Sequence, residues 1–179
     1  MDKYIGKVFE NRIGLQYIVE SVAYETYKGK HYNIRFLKSG YHTVTTSSEI
    51  NAKKIKDKLC PQIFGVGCLG YVKNANSKYK REYSVWHDML NRCYNDKYPE
   101  ARYYSQAGVK VCKRWHRFDH FLDDIGCIPG WNKEMFLRGE IYLDKDRRSD
   151  GDRIYSPQTC SWITATENHP LNVNTEAKV

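Results

Sequence analysis

The sequence predicts an α+β protein in two parts, and three observations carry that expectation. The first third alternates β-branched and aromatic residues with polar ones between short turn signals, as antiparallel strands do. The middle places Trp86, Met89, Leu90 and Cys93 at i, i+3, i+4 and i+7, the spacing of one apolar helix face. The last third reads strand, acidic loop, strand, short helix. On this basis residues 1–72 form a small antiparallel β-rich domain and residues 73–81 a linker. Residues 82–172 form an α+β domain, and 173–179 a flexible tail.

Within the first part, Tyr17, Ile18, Val19 and Val22 make residues 15–22 a strand. Lys28-Gly29-Lys30 signals a turn, after which Tyr32, Ile34 and Phe36 alternate with His31, Asn33 and Arg35. A second turn at Ser39-Gly40 leads into a third strand over residues 41–46. A three-stranded meander of this size needs a helix or a second unit against its apolar face. Its other face carries His31, Asn33, Arg35 and Lys38, with Lys28 and Lys30 at the turn. A β-ribbon with these side chains can lie in a major groove and reach base edges, and it can equally be a solvated strand face. Lys53, Lys54 and Lys56 follow in a basic run that suits phosphate contact or a surface loop.

Charge points the same way. The chain of 179 residues carries 29 Lys and Arg against 21 Asp and Glu, and the excess is uneven. Residues 1–81 hold fifteen basic and six acidic side chains, whereas the remainder is close to balanced. A polyanion held by the first half is the simplest physical reason for that asymmetry. Composition also excludes classes. No stretch approaches the roughly 20 apolar residues of a membrane span, and the first residues lack the apolar run of a signal peptide. The six cysteines form no C-x-x-C pair, so reduced thiols in a cytoplasmic protein are expected and zinc is not. Gly65, Gly67 and Gly70 spell G-x-G-x-x-G, but no amphipathic helix follows, and a dinucleotide site is rejected.

In the second part, Ser84 is a candidate cap for the helix through Trp86. A further helix is expected over residues 113–124, burying Trp115, Phe118, Phe121, Leu122 and Ile125. His116 and His120 stand at i, i+4 on it, a metal-binding spacing without the glutamate of H-E-x-x-H. Residues 140–146 then form a strand ending in acids. Asp150-Gly151 marks a hairpin turn, residues 153–155 return, and residues 163–169 form a helix stopped by Pro170.

Leu143-Asp144-Lys145-Asp146, then Tyr155-Ser156-Pro157-Gln158-Thr159-Cys160-Ser161-Trp162, then Asn168 resembles the ββα-metal core of HNH endonucleases, closest to the small phage-encoded and homing-endonuclease-like members. Trp86, Met89 and Cys93, and the run from Gly108 through Trp115 to Phe121, resemble that group as well. The resemblance covers roughly residues 82–172. It implies a DNA endonuclease acting in the cytoplasm of an infected bacterium on double-stranded DNA, with Mg²⁺ or Mn²⁺ held by Asp144 and Asn168. Arg147 and Arg148 in the acidic loop would add DNA contacts.

The family's general-base histidine falls on Lys145, and its central asparagine on Thr159. An ordinary lysine titrates near roughly 10.4 and cannot take a proton from water. Either Lys145 has a depressed pKa, which its neighbours Asp144 and Asp146 oppose, or it is a cation on the phosphate with His169 or another histidine as base, or the fold has lost its chemistry and binds DNA as a regulator. A lysine nuclease of the PD-(D/E)-x-K type fails because Leu143 stands where the second acid belongs. A phage protein that binds a host protein is the third reading, and oligomeric state is not legible.

Overall fold

A computed structural model describes residues 2–168, excepting the side chain of Asn168. The chain divides between Cys60 and Pro61 into two units. The architecture is mixed α+β: a four-stranded antiparallel sheet, followed by helices and two small sheets.

In the first unit β1 (Val8–Glu10), β2 (Gln16–Thr26), β3 (Gly29–Phe36) and β4 (His42–Thr46) lie side by side in chain order. The three expected strands are present, and β1 joins them as a fourth, pairing Val8 with Ile18 and Glu10 with Gln16. Tyr32, Ile34 and Phe36 are buried on one face, as their alternation predicts. The apolar face is covered from within the unit. Helix α1 (Ser47–Asn51) contributes Ile50, and Ile55 follows it into the same core with Tyr4, Tyr17 and Val19. A capping box starts α1: Glu49 N–H donates to Thr46 Oγ1, and Glu49 Oε2 accepts from the Thr46 N–H at 3.1 Å. The basic run behind it is a pinned segment. Asn11 Nδ2 donates to the Ile55 carbonyl at 3.0 Å, so Ile55 and Asp57 turn inward while Lys54 and Lys56 face solvent.

The second unit begins earlier than its polar composition suggests. Ile63-Phe64-Gly65-Val66 makes a tight turn, with Phe64 and Gly65 both at positive φ and Val66 N–H donating to the Ile63 carbonyl at 3.1 Å. Ile63, Phe64, Val66 and Leu69 pack on the core of this unit, so residues 61–72 do not belong to the β-rich domain. Nor are residues 73–81 a linker: α2 (Ala75–Lys78) buries Ala75 in that core, and α3 (Lys80–Tyr94) starts at Lys80. One inward alanine per turn among Lys, Asn and Ser leaves too little periodicity to read.

Helix α3 buries Trp86, Met89, Leu90 and Cys93 as predicted, but Ser84 lies inside it and is no cap. The expected helix over 113–124 is broken. A 3-10 turn over Lys113–His116 ends at Arg117, whose backbone is extended, and α4 (Phe118–Ile125) follows. His116 and His120 therefore lie on separate elements, and His116 Nε2 bonds the Val111 carbonyl and the Tyr94 hydroxyl, each at 3.1 Å. The break lets Trp115, Phe118 and Phe121 all be fully buried. It also seats Asp124 under Arg114 and Trp115, accepting from Arg114 Nε at 2.7 Å, Arg114 Nη2 at 2.9 Å and Trp115 Nε1 at 2.8 Å.

Burial raises the Asp124 pKa, but these three donors outweigh it and hold the carboxyl below its ordinary value. A lowered folded-state pKa gives stability that is present above the unfolded value, near 4, and is lost as pH falls below it. Asp124→Asn is therefore expected to flatten the acid limb of the second unit's urea midpoint plotted from pH 6 to pH 2.5; an unchanged limb would remove Asp124 from that role.

The remaining elements are β5 (Lys110–Val111), α5 (Lys133–Arg138), β6 (Ile141–Asp144), β7 (Ile154–Tyr155), β8 (Ser161–Thr164) and α6 (Ala165–Asn168). The Asp150-Gly151 turn is real, both residues having positive φ, but it does not join a paired hairpin. Strand β7 pairs in parallel with β5, and β6 pairs antiparallel with β8, Asp144 opposite Ser161. Ile163 and Thr164, expected as the first residues of the helix, instead end β8, and the helix starts at Ala165. Residues 161–164, and not the expected 153–155, are thus the second strand of the strand–strand–helix unit. Their alternation is masked because Ser161, Trp162 and Ile163 are all buried.

Candidate functional site

Asp144 ends β6, and its carboxylate closes a local turn. Its Oδ1 accepts from the backbone N–H of Asp146 at 2.9 Å and of Arg147 at 3.1 Å. Lys145 points back toward the unit, its side chain only 11% exposed, and its Nζ is paired with Asp146 Oδ1. Asp146 itself is 71% exposed. Arg147 reaches α6, donating to Glu167 Oε1 at 3.2 Å and to the Glu167 carbonyl at 3.1 Å. Arg148 donates to the Cys160 carbonyl at 3.1 Å. Both arginines thus help fold the acidic loop. Thr159, in the place of an asparagine, is buried and locks the loop before β8. Its Oγ1 donates to the Ile154 carbonyl at 2.6 Å and accepts from the Ser156 N–H at 3.1 Å.

Asp144, Lys145 and Asp146 line a cleft of about 360 Å³ whose other wall is α3. Arg81, Ser84, Val85, Asp88 and Arg92 come from successive turns of that helix, and Tyr104 and Tyr155 close the far end. Arg92 lies 5.9 Å from the Tyr104 ring, and burial against its charge is outweighed by Tyr155 and Tyr104, which raise its pKa. Burial pushes the Tyr155 phenol up, so it stays neutral. Arg81 rests over the Phe136 ring at 5.2 Å, and its Nε is buried without a hydrogen-bond partner. A buried guanidinium nitrogen left unpaired is costly and marks a place where an acceptor is missing.

A divalent cation at Asp144 would need further oxygen or nitrogen donors converging there. Among the described residues no group of three or more His, Cys, Asp and Glu converges, one Asp144 oxygen already holds two amide hydrogens, and the neighbouring side chain is an ammonium. The expected second ligand, the Asn168 side chain, and the expected base, His169, lie outside the described residues.

In the first unit His31, Asn33 and Arg35 share the outward sheet face as expected, but two of them are engaged within it. Asn33 Nδ2 donates to Ser21 Oγ at 3.0 Å, and Arg35 Nε to Glu20 Oε1 at 2.7 Å. His31 stacks on Tyr24. Lys30 pairs with Asp2 at 3.2 Å and Lys53 with Glu10 at 2.5 Å. Lys28, Lys38, Lys54 and Lys56 are exposed and form no ion pair among the described residues.

The sequence reading missed Arg81 and Arg92. They form a polar stripe on α3 opposite its apolar one, which spacing reveals; that the stripe faces β6 is a tertiary fact. Compared with protein-family models, curated proteins and solved structures, the chain matches none. No helix among the described residues is long and apolar enough to cross a membrane.

Proposed function

We propose that the protein binds double-stranded DNA in the manner of a phage HNH-like module that keeps the fold's contact with the backbone, the α3–β6 cleft taking a phosphate. The observation that carries this reading is Arg81, a cation on the cleft wall with a buried, unpartnered Nε, facing a strand end whose Lys145 and Asp146 form a pair that an incoming anion can open. A guanidinium matches two phosphate oxygens at once, and an ammonium adds a point charge, so together they hold an anion without a metal. Lys145 in place of a histidine suits this role, since a protonated amine binds phosphate and does not deprotonate water. The cations of the first unit supply non-specific attraction. Metal-dependent hydrolysis of the phosphodiester, by Mg²⁺ or Mn²⁺, is the alternative outcome.

The test is fluorescence anisotropy of a labelled duplex across 50–200 mM salt. Each phosphate engaged contributes a slope of about −0.9 in log K against log salt. Arg81→Gln is expected to make that slope shallower by about one unit and to weaken binding to all sequences alike. Arg81→Gln with an unchanged slope would remove the cleft from the interface. Binding that ignores salt would instead point to a host-protein partner. A metal-dependent nick lost in Asp144→Ala would move the function to endonuclease.

A further inference from the structure

We infer that the closed end of the β2–β3 hairpin holds an unpaired base of the bound DNA, stacked on Tyr24 and Tyr27; this rests on the DNA-binding reading above. Tyr27 sits in the two-residue turn between Thr26 and Gly29 and is 93% exposed. The Lys28 Nζ lies 5.4 Å from its ring centroid. Two register pairs back from the Thr26–Gly29 pair at the tip, Tyr24 is 53% exposed while one face of its ring lies on His31, with centroids 4.4 Å apart and planes at 18°.

The backbone explains why these rings stand free. Strand β1 pairs only with Gln16, Tyr17 and Ile18, so β2 runs past its neighbour from Ser21 to Thr26. Two register shifts, between Val19 and Ser21 and between Val22 and Tyr24, add twist to that stretch. They bring Tyr24, and not Val22, opposite His31.

Two large exposed rings at a hairpin end, with lysines beside them, combine the two things single-stranded nucleic acid requires: flat surfaces for bases and cations for phosphates. The rings point to stacking and not to groove reading, because tyrosine rings offer no pattern of donors and acceptors for base edges. In an intact duplex each base face is covered by its neighbours, so the rings gain a partner only where a base is unpaired. The adjacent Lys28, within a chain half rich in cations, favours a nucleic acid over an apolar protein surface, whereas Lys30 is held by Asp2.

The probe is a DNA duplex carrying 2-aminopurine in a short mismatched bubble, beside the same duplex fully paired. The wild-type protein is expected to quench the bubble's emission and to bind it about 5- to 150-fold more tightly than the paired form. Tyr24→Ala and Tyr27→Ala should each reduce both effects with the salt slope unchanged, and Tyr24→Phe and Tyr27→Phe should restore them. Equal affinity for bubble and paired DNA with unchanged emission, while binding stays steeply salt-dependent, would overturn stacking and leave DNA binding standing. Absence of salt-dependent binding to either probe would overturn both.

Discussion

Trp86→Ala should cost the second unit about 3–5 kcal/mol, the usual range for removing a fully buried aromatic ring. Trp86 is completely enclosed, meeting Phe118 at 5.2 Å and Tyr83 at 5.8 Å between centroids. Its Nε1 donates to the Trp115 carbonyl at 2.7 Å, a bond that ties α3 to the 3-10 turn before α4. Truncation therefore opens a cavity and orphans a buried carbonyl together. Against a total stability of about 5–15 kcal/mol for a domain, that is enough to place the unit near its unfolding threshold. Urea unfolding followed by far-ultraviolet circular dichroism should show the second unit's transition at much lower denaturant while the first unit's is unmoved. Trp86→Phe, which keeps most of the volume and loses the donor, should fall between. A wild-type midpoint in Trp86→Ala would mean that this ring is not central to the core.

Gly130→Ala is the second large effect, and its origin is backbone and not cavity. Gly130 has φ +81, in the left-handed region, and an added Cβ would lie 2.1 Å from the Trp162 carbonyl oxygen. That atom is main chain, so no rotamer change relieves the overlap. The Trp162 N–H donates to the Pro129 carbonyl at 2.8 Å, which fixes the close approach. Left-handed strain of about 1–3 kcal/mol and a weakened hydrogen bond of about 1 kcal/mol give a loss of roughly 2–4 kcal/mol. The displacement would reach β8 and, through its pairing, the end of β6 where Asp144 stands. Gly151→Ala makes the control. Gly151 shares the positive φ but has nothing within 4 Å of an added Cβ, so it should show the strain alone. Equal losses in the two variants, read from urea midpoints, would remove the close contact as the cause.

Much of the fold was legible because its signals are local. Alternation set β3 with Tyr32, Ile34 and Phe36 inward, and helical spacing set the buried face of α3. What stayed hidden depends on distant partners. Strand β1 is three residues long and exists because β2 offers it an edge. The pairing of β7 with β5, across more than forty residues, leaves no mark in either segment. Ile163 and Thr164 read as helix because a strand buried on both sides loses its alternation. The candidate site divides the same way: motif resemblance located Asp144 and Lys145, but their opposite wall on α3 was set by packing alone. The first unit's basic residues were found correctly on one face and at its turn, whereas the pairing of Arg35 with Glu20 and of Lys30 with Asp2 needed coordinates.

The antiparallel join of β6 to β8 has a consequence for the order of events during synthesis. Trp162, on the last strand described, packs on Trp131 and Phe136 and donates to the Ile125 carbonyl, so the second core lacks a wall until that residue has left the ribosome. The sheet of the first unit is complete within sixty residues. Chains usually fold from the N-terminus as they emerge, so the basic, ring-bearing hairpin is formed while most of the second unit is still untranslated. A message truncated before residue 160 would thus yield a folded cationic sheet trailing an unclosed apolar remnant. Such a product is a substrate for proteases, and its persistence in pulse-chase labelling would report how independently the first unit stands.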